Sequence, residues 1–160
     1  MIRSGTLKPI VIAATAAVVV ASAGALVTDI DPWYQSLVQP GWKPPDWLFG
    51  PAWTMIFALA AAAGVIAWRE APSQTSRKWM LALFALNGFL NILWSLLYFR
   101  FRRPDWALLE VGLLWLSVLL LMVAIGRYSR RASFLLAPYL IWIGFAGALN
   151  WATVRLNPPF

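Results

Sequence analysis

The sequence predicts an all-α polytopic membrane protein: one domain over residues 1–160, built as a bundle of five transmembrane helices. Three observations carry that prediction. Hydrophobic residues make up 61% of the chain and charged residues 12%, about half the charged fraction of roughly 25% found in soluble domains. Mean hydropathy is +0.70, and so few charges cannot cover a water-facing surface. Apolar runs recur five times, each close to the ~20 residues that cross ~30 Å of hydrocarbon. The breaks between runs hold most of the 13 Lys and Arg residues, where they anchor helix ends among lipid head groups.

The runs lie at about residues 9–28, 51–68, 79–99, 106–125 and 134–154. Backbone polar groups in lipid must be satisfied within the segment, so each run is read as a helix. Arg3, Lys8, the following apolar stretch and Ala21-Ser22-Ala23 resemble a secretory signal with its small-residue cleavage site. The apolar stretch continues to Ile30, however, and the reading adopted is a retained first helix. In that helix Ala13, Ala17, Ala21 and Ala25 recur once per turn, and Ala60 and Gly64 repeat the spacing in the second. Small residues so placed let helix backbones approach closely, and ordinary packing inside the bundle accounts for them more simply than a dimer seam.

The third run carries Asn87, Asn91 and Trp94 along one face, and the fifth carries Asn150. An amide in hydrocarbon needs a partner, which is either a neighbouring helix or a ligand. Glu110 stands about one turn into the fourth run, with Arg103 or the membrane interface as its expected partner.

Composition also excludes several chemistries. The chain has no Cys and no His, so disulfides, the usual zinc sites and His-ligated haem are ruled out, and no resident metal or cofactor is expected. No general acid–base pair is visible. The net charge of +7 does not indicate nucleic acid, because the basic residues form no stripe beside exposed aromatics. Five spans put the termini on opposite sides. Arg3, Lys8, Arg69, Arg77, Lys78, Arg127, Arg130 and Arg131 fall at one end, and Lys43, Arg100, Arg102, Arg103 and Arg155 at the other. The excess favours a cytoplasmic N-terminus.

The first loop, residues 29–50, differs in kind from the short basic loops elsewhere. It contains Asp31-Pro32-Trp33-Tyr34 and then Pro40-Gly41-Trp42-Lys43-Pro44-Pro45-Asp46-Trp47. Proline stiffens the backbone and Pro44-Pro45 favours an extended course. Aromatic rings on a stiff ribbon read either as a belt at head-group level or as a lid over a pocket for a flat apolar ligand.

Taken in order, these motifs resemble the translocator protein family, the tryptophan-rich sensory proteins and peripheral-type benzodiazepine receptors, and specifically a bacterial member. The resemblance runs from about Asp31 to Asn157 and rests on Trp33-Tyr34, Pro40, Trp42, Pro44-Pro45, Trp47 and Trp53, then Asn87, Asn91 and Trp94. Pro138-Tyr139-Leu140-Ile141-Trp142, Leu149-Asn150-Trp151 and Arg155-Leu156-Asn157 complete it.

The resemblance implies a five-helix homodimer in a bacterial inner membrane, surrounded by membrane lipids, with a pocket closed by the first loop. It implies a receptor for porphyrins such as protoporphyrin IX, the porphyrin being ligand or substrate and not a resident cofactor. Ligand-lining positions would be Tyr34, Pro44, Trp53, Phe57, Asn87, Asn91, Trp94, Trp142 and Ala146. Lys43 would meet a propionate or a lipid head group. Two alternatives accompany this reading: light-dependent porphyrin degradation with Trp53 and Trp142 as the catalytic pair, and passive tetrapyrrole or sterol transport. A sterol motif at Leu149, Trp151 and Arg155 departs from the family's animal pattern by placing Trp in the central aromatic position.

Overall fold

In the computed structural model, which describes residues 4–160 and their side chains from residue 7 onward, every apolar run forms a helix. Helix α1 spans Ser4–Val27, α2 Pro32–Ser36, α3 Phe49–Glu70, α4 Gln74–Ser95, α5 Pro104–Gly126, α6 Arg130–Leu135 and α7 Ala137–Leu156. Five segments are long and apolar enough to cross a membrane: Leu7–Val27, Asp46–Glu70, Gln74–Arg100, Pro104–Gly126 and Arg130–Leu156. No strand occurs among the described residues. The all-α, five-span membrane fold expected from the sequence is therefore the one found. Arg3, one of the counted charges, lies outside the described residues.

Two spans start in polar sequence ahead of their apolar runs because a serine caps each. Ser73 accepts a hydrogen bond from the Ser76 N–H at 3.1 Å, satisfying a free donor at the start of α4, which therefore begins about a turn before residue 79. Ser129 accepts from the Ala132 N–H at 3.3 Å and starts α6 in the same way. The fifth span is broken between α6 and α7. Pro138 lacks the N–H that would bond back to Phe134, so a continuous helix is interrupted there. Pro104 begins α5 at a position where the missing N–H costs nothing.

The first loop is partly helical. Asp31 Oδ1 accepts from the Tyr34 N–H at 2.9 Å to cap α2, and a 3-10 turn at Asp46–Leu48 leads into α3. At the same end, α4 finishes in a π turn over Leu96–Arg100, closed by the Phe101 N–H on the Leu96 carbonyl at 2.9 Å. Arg102 follows with φ 54°, a left-handed conformation that costs a non-glycine residue roughly 1–2 kcal/mol. Its guanidinium is held by Asp31 at 2.6 Å and lies 5.7 Å from the Trp33 ring centroid. The strained residue thus ties the α4–α5 connection to the first loop.

The helices form a ring in which α1 touches α3 and α4, α4 packs on α5, α5 on α7, and α3 closes the circuit through α6 and α7. Helix α5 is the most deeply set. Its buried residues Ala107, Val111, Leu114, Val118, Leu121 and Ile125 recur at three- and four-residue spacing along one face. Ile56, Leu90, Val111, Leu114, Val118, Tyr139 and Ile143 form one core cluster. A second, toward the N-terminal end of α1, joins Ala63, Ala67, Met80, Leu121, Ile125, Ala132 and Leu136. By contrast, no described side chain of α1 is buried. The first helix leans against the bundle across two cavities.

Candidate functional site

The cavity beneath the first loop has a volume of about 570 Å³, within the range of small-molecule sites. It is bounded by the C-terminal half of α1, the first loop, the start of α3, the end of α4 and the second half of α7. Of the residues expected from the sequence, Tyr34, Trp53, Phe57, Asn91, Trp94, Trp142 and Ala146 all line it. Asn87 lies one turn lower and lines the neighbouring cavity instead. Pro44 lines neither cavity, so its place is in the loop's backbone course and not in the wall.

Aromatic rings make up much of the wall. Trp53 stacks on Phe57 with centroids 5.3 Å apart and meets Trp142 edge-on at 6.4 Å. Trp142 packs in turn on Phe145 at 5.5 Å and Phe49 at 5.7 Å. Across the cavity Trp94 and Tyr98 lie 5.2 Å apart, and Tyr34 lies 5.5 Å from Phe99. Such offset and edge-to-face pairs are preferred by ring quadrupoles and present flat apolar surface toward the cavity.

The loop closes on itself through charge. Tyr34 Oη donates to Asp46 Oδ1 at 3.1 Å, and Lys43 pairs with the same carboxylate. Lys43 is therefore engaged within the loop. Burial, then the Asp46 charge and its hydrogen bond, push the Tyr34 phenol above its ordinary range. The backbone hydrogen bond from Tyr34, together with Arg102, holds Asp31 below the usual carboxylate range.

The span amides are satisfied by neighbouring helices. Asn91 Nδ2 donates to Tyr139 Oη at 3.1 Å, and Tyr139 Oη donates to Asn87 Oδ1 at 3.0 Å. Asn87 Nδ2 donates to Ser117 Oγ at 2.8 Å. Trp94 Nε1 donates to Asn150 Oδ1 at 3.2 Å, and Asn150 Nδ2 to the Pro104 carbonyl at 2.8 Å. Tyr139 and Ser117 were not anticipated as partners; Tyr139 stood in the sequence only as part of an aromatic motif.

Two polar groups behave differently from expectation. Arg103 is taken by Asp105 at 2.5 Å, and both carboxyl oxygens of Glu110 are buried without a partner. The expected Glu110–Arg103 pair does not form, because Asp105 is only two residues from Arg103 and captures it first. The remaining unpartnered buried atoms among the described residues are two N–H donors, Gln39 Nε2 and Trp142 Nε1. Both belong to residues lining the cavity under the loop.

The three residues of the sterol-type motif do not share one surface. Leu149 lines the cavity, whereas Trp151 is exposed with the Arg155 guanidinium 5.8 Å from its ring. Among the described residues no group of Asp, Glu, His or Cys is arranged to hold a metal ion.

Residues 11–156 match the TspO/MBR family. The chain is similar to the tryptophan-rich protein TspO of Chlorobaculum tepidum, at 40% identity over 79% of this chain and 80% of that one. It is 35% identical to protein CrtK of Rhodobacter capsulatus over 86% of this chain and 88% of that one. It is 32% identical to the translocator protein of Homo sapiens over 78% and 75% of the two chains.

Proposed function

Because the chain belongs to the TspO/MBR family, an integral membrane protein in its five apolar spans, we propose that it is a membrane receptor for a flat tetrapyrrole such as protoporphyrin IX, bound in the cavity beneath the first loop. One observation carries this reading. The two buried side-chain N–H donors left without partners, on Gln39 and Trp142, both belong to the walls of one aromatic cavity. A buried donor without an acceptor costs about 1–3 kcal/mol. A plate-shaped ligand covers the rings of Trp53, Phe57 and Trp94 with its faces, and a small side-chain turn at Gln39 or Trp142 brings the N–H onto an acceptor at its edge and relieves that cost. The Asn87 and Asn91 amides are already engaged by Ser117 and Tyr139. Through these bonds they brace the floor of the cavity.

The test is a titration with protoporphyrin IX in the dark, followed by tryptophan fluorescence. Saturable quenching that weakens in Trp142→Phe supports the site. Absence of saturation removes the tetrapyrrole and leaves the cavity to another apolar ligand.

A second reading has its own observation in the edge contact of Trp53 and Trp142. There the bound porphyrin absorbs light and is degraded, with the two indoles relaying an electron. Illumination should then bleach the porphyrin band in the unaltered protein and far more slowly in the double Phe variant. Equal bleaching in both leaves binding alone.

The proposal includes a homodimer, tested by crosslinking in native membranes, and residence in a bacterial inner membrane, tested by fractionation. It also includes a cytoplasmic N-terminal end. Lys8, Arg69, Arg77, Lys78, Arg127, Arg130 and Arg131 make no ion pair there among the described residues, whereas Lys43, Arg102 and Arg103 at the other end are paired.

A further inference from the structure

The second cavity, about 800 Å³ in volume, lies between α1, α3 and α4 on the N-terminal side of the first. Val20 and Phe57 line both cavities and form the wall between them. Its lining is almost wholly apolar, with Ala13, Ala17, Gly64 and Phe84 along its length. It opens sideways between α1 and α4, where Ile12 and Phe89 on its rim are 51% and 62% exposed. In a membrane that opening faces acyl chains.

The mouth has a different character. Lys8 lines it, and so does Trp68, whose ring carries the Arg77 guanidinium at 5.2 Å. Neither Lys8 nor Arg77 makes an ion pair among the described residues. From Lys8 to Val20 the cavity follows twelve residues of α1, about 18 Å at ~1.5 Å per residue. One leaflet of a ~30 Å hydrocarbon core is about 15 Å deep. The groove thus has a cationic entrance at head-group level and an apolar length matching a single leaflet.

We propose that this groove binds one anionic phospholipid from the leaflet that holds the N-terminal end of α1. One acyl chain lies along Ala13, Ala17 and Gly64 toward Val20, and the phosphate pairs with Lys8, with Arg77 adding positive potential. An acyl chain supplies the dispersion contacts that the exposed inner face of α1 lacks from the protein. A free cationic donor of this cavity stands at its mouth, on Lys8, whereas deep inside it the Tyr139 hydroxyl is engaged with Asn87 and Asn91, and the Asn87 amide with Ser117. The site is therefore distinct in chemistry from the cavity under the loop and does not depend on what that cavity binds.

The full chain, purified in detergent and equilibrated with equal amounts of dioleoyl phosphatidylglycerol and dioleoyl phosphatidylcholine, tests this by native mass spectrometry. One phosphatidylglycerol should be retained per chain, about fivefold over phosphatidylcholine, the preference of one lysine near an anionic surface. Lys8→Gln, at an exposed helix end where folding is not at risk, should equalise the two lipids. Ala17→Phe, which fills the groove, should lower retention of both. Equal retention by the unaltered chain, or a preference that survives Lys8→Gln, overturns the proposal. Displacement of the lipid by protoporphyrin IX also overturns it, assigning both cavities to one ligand.

Discussion

Asn157 grips the backbone of Val38 from both sides: the Val38 N–H donates to Asn157 Oδ1 at 2.7 Å, and Asn157 Nδ2 donates to the Val38 carbonyl at 2.9 Å. The two residues are 119 apart in sequence, so the end of α7 is clasped to the first loop directly over the cavity. Asn157→Ala removes both bonds. At about 0.5–1.5 kcal/mol each in a partly solvated setting, their loss should speed dark release of protoporphyrin about tenfold. Stopped-flow dissociation checks this, and an unchanged off-rate would show that the loop does not gate the cavity.

The Asp31–Arg102 pair is a second fastening of the same loop, and it is pH-dependent. The Asp31 carboxyl is depressed in the closed loop and returns to about 3.9 when released. A depressed carboxyl contributes stability that is fully present above its free value and is lost as pH falls through the lower, closed-loop value. The loop should therefore hold from neutral pH down to about pH 4 and loosen only in stronger acid. Hydrogen exchange of the peptide over residues 31–37, corrected for its intrinsic pH dependence, reads this. Loosening already near pH 6 would contradict it.

Trp142→Phe keeps an aromatic wall but removes the unpartnered N–H. Loss of one hydrogen bond to ligand, about 0.5–1.5 kcal/mol, should weaken porphyrin binding two- to tenfold. Trp142→Ala should weaken it further by removing the contacts to Phe49 and Phe145. Equal affinity for the unaltered protein and the Phe variant would mean that the indole donor meets no acceptor.

Tyr139→Phe breaks the knot at the centre of the bundle. The change leaves Asn91 Nδ2 and Asn87 Oδ1 without their shared hydroxyl, at about 1–3 kcal/mol for buried groups. Thermal unfolding in detergent should drop by several degrees, whereas the same change at half-buried Tyr128, which keeps the ring packed on the second core cluster, should do little.

Glu110 leads in the opposite direction. Its carboxyl is buried with no hydrogen bond, so Glu110→Leu should raise the unfolding temperature by removing a desolvated polar group. A fall instead would reveal a partner that forms only in the membrane.

The five spans were legible because lipid imposes length and apolarity on each segment separately, so the pattern is local. Span ends were less legible: Ser73 and Ser129 start their helices through capping bonds in polar sequence, where hydropathy carries no signal. Most expected cavity residues do line the cavity, since Trp53, Trp94 and Trp142 stand out by type. Pro44 does not, because a rigid loop residue and a wall residue look alike until the loop's course is known. The partners of Asn87, Asn91 and Asn150 were hidden for another reason. Ser117, Tyr139 and Pro104 lie 30, 48 and 46 residues away, respectively, and no spacing along the chain links them to these amides. Glu110 was misjudged by proximity, since Asp105 sits closer to Arg103 than it does.

The hydroxyl of Tyr139 joins α7 to two amides of α4, one of which reaches α5 through Ser117. Three of the five spans are thereby joined at mid-membrane, while the first loop is fastened by Asn157 and Arg102 and no described side chain of α1 is buried. On the proposed reading, admission of a large flat guest needs no deformation of the joined spans. Thermal stability is, on that reading, set by the Tyr139 knot and the rate of loop opening by the residues that fasten the loop.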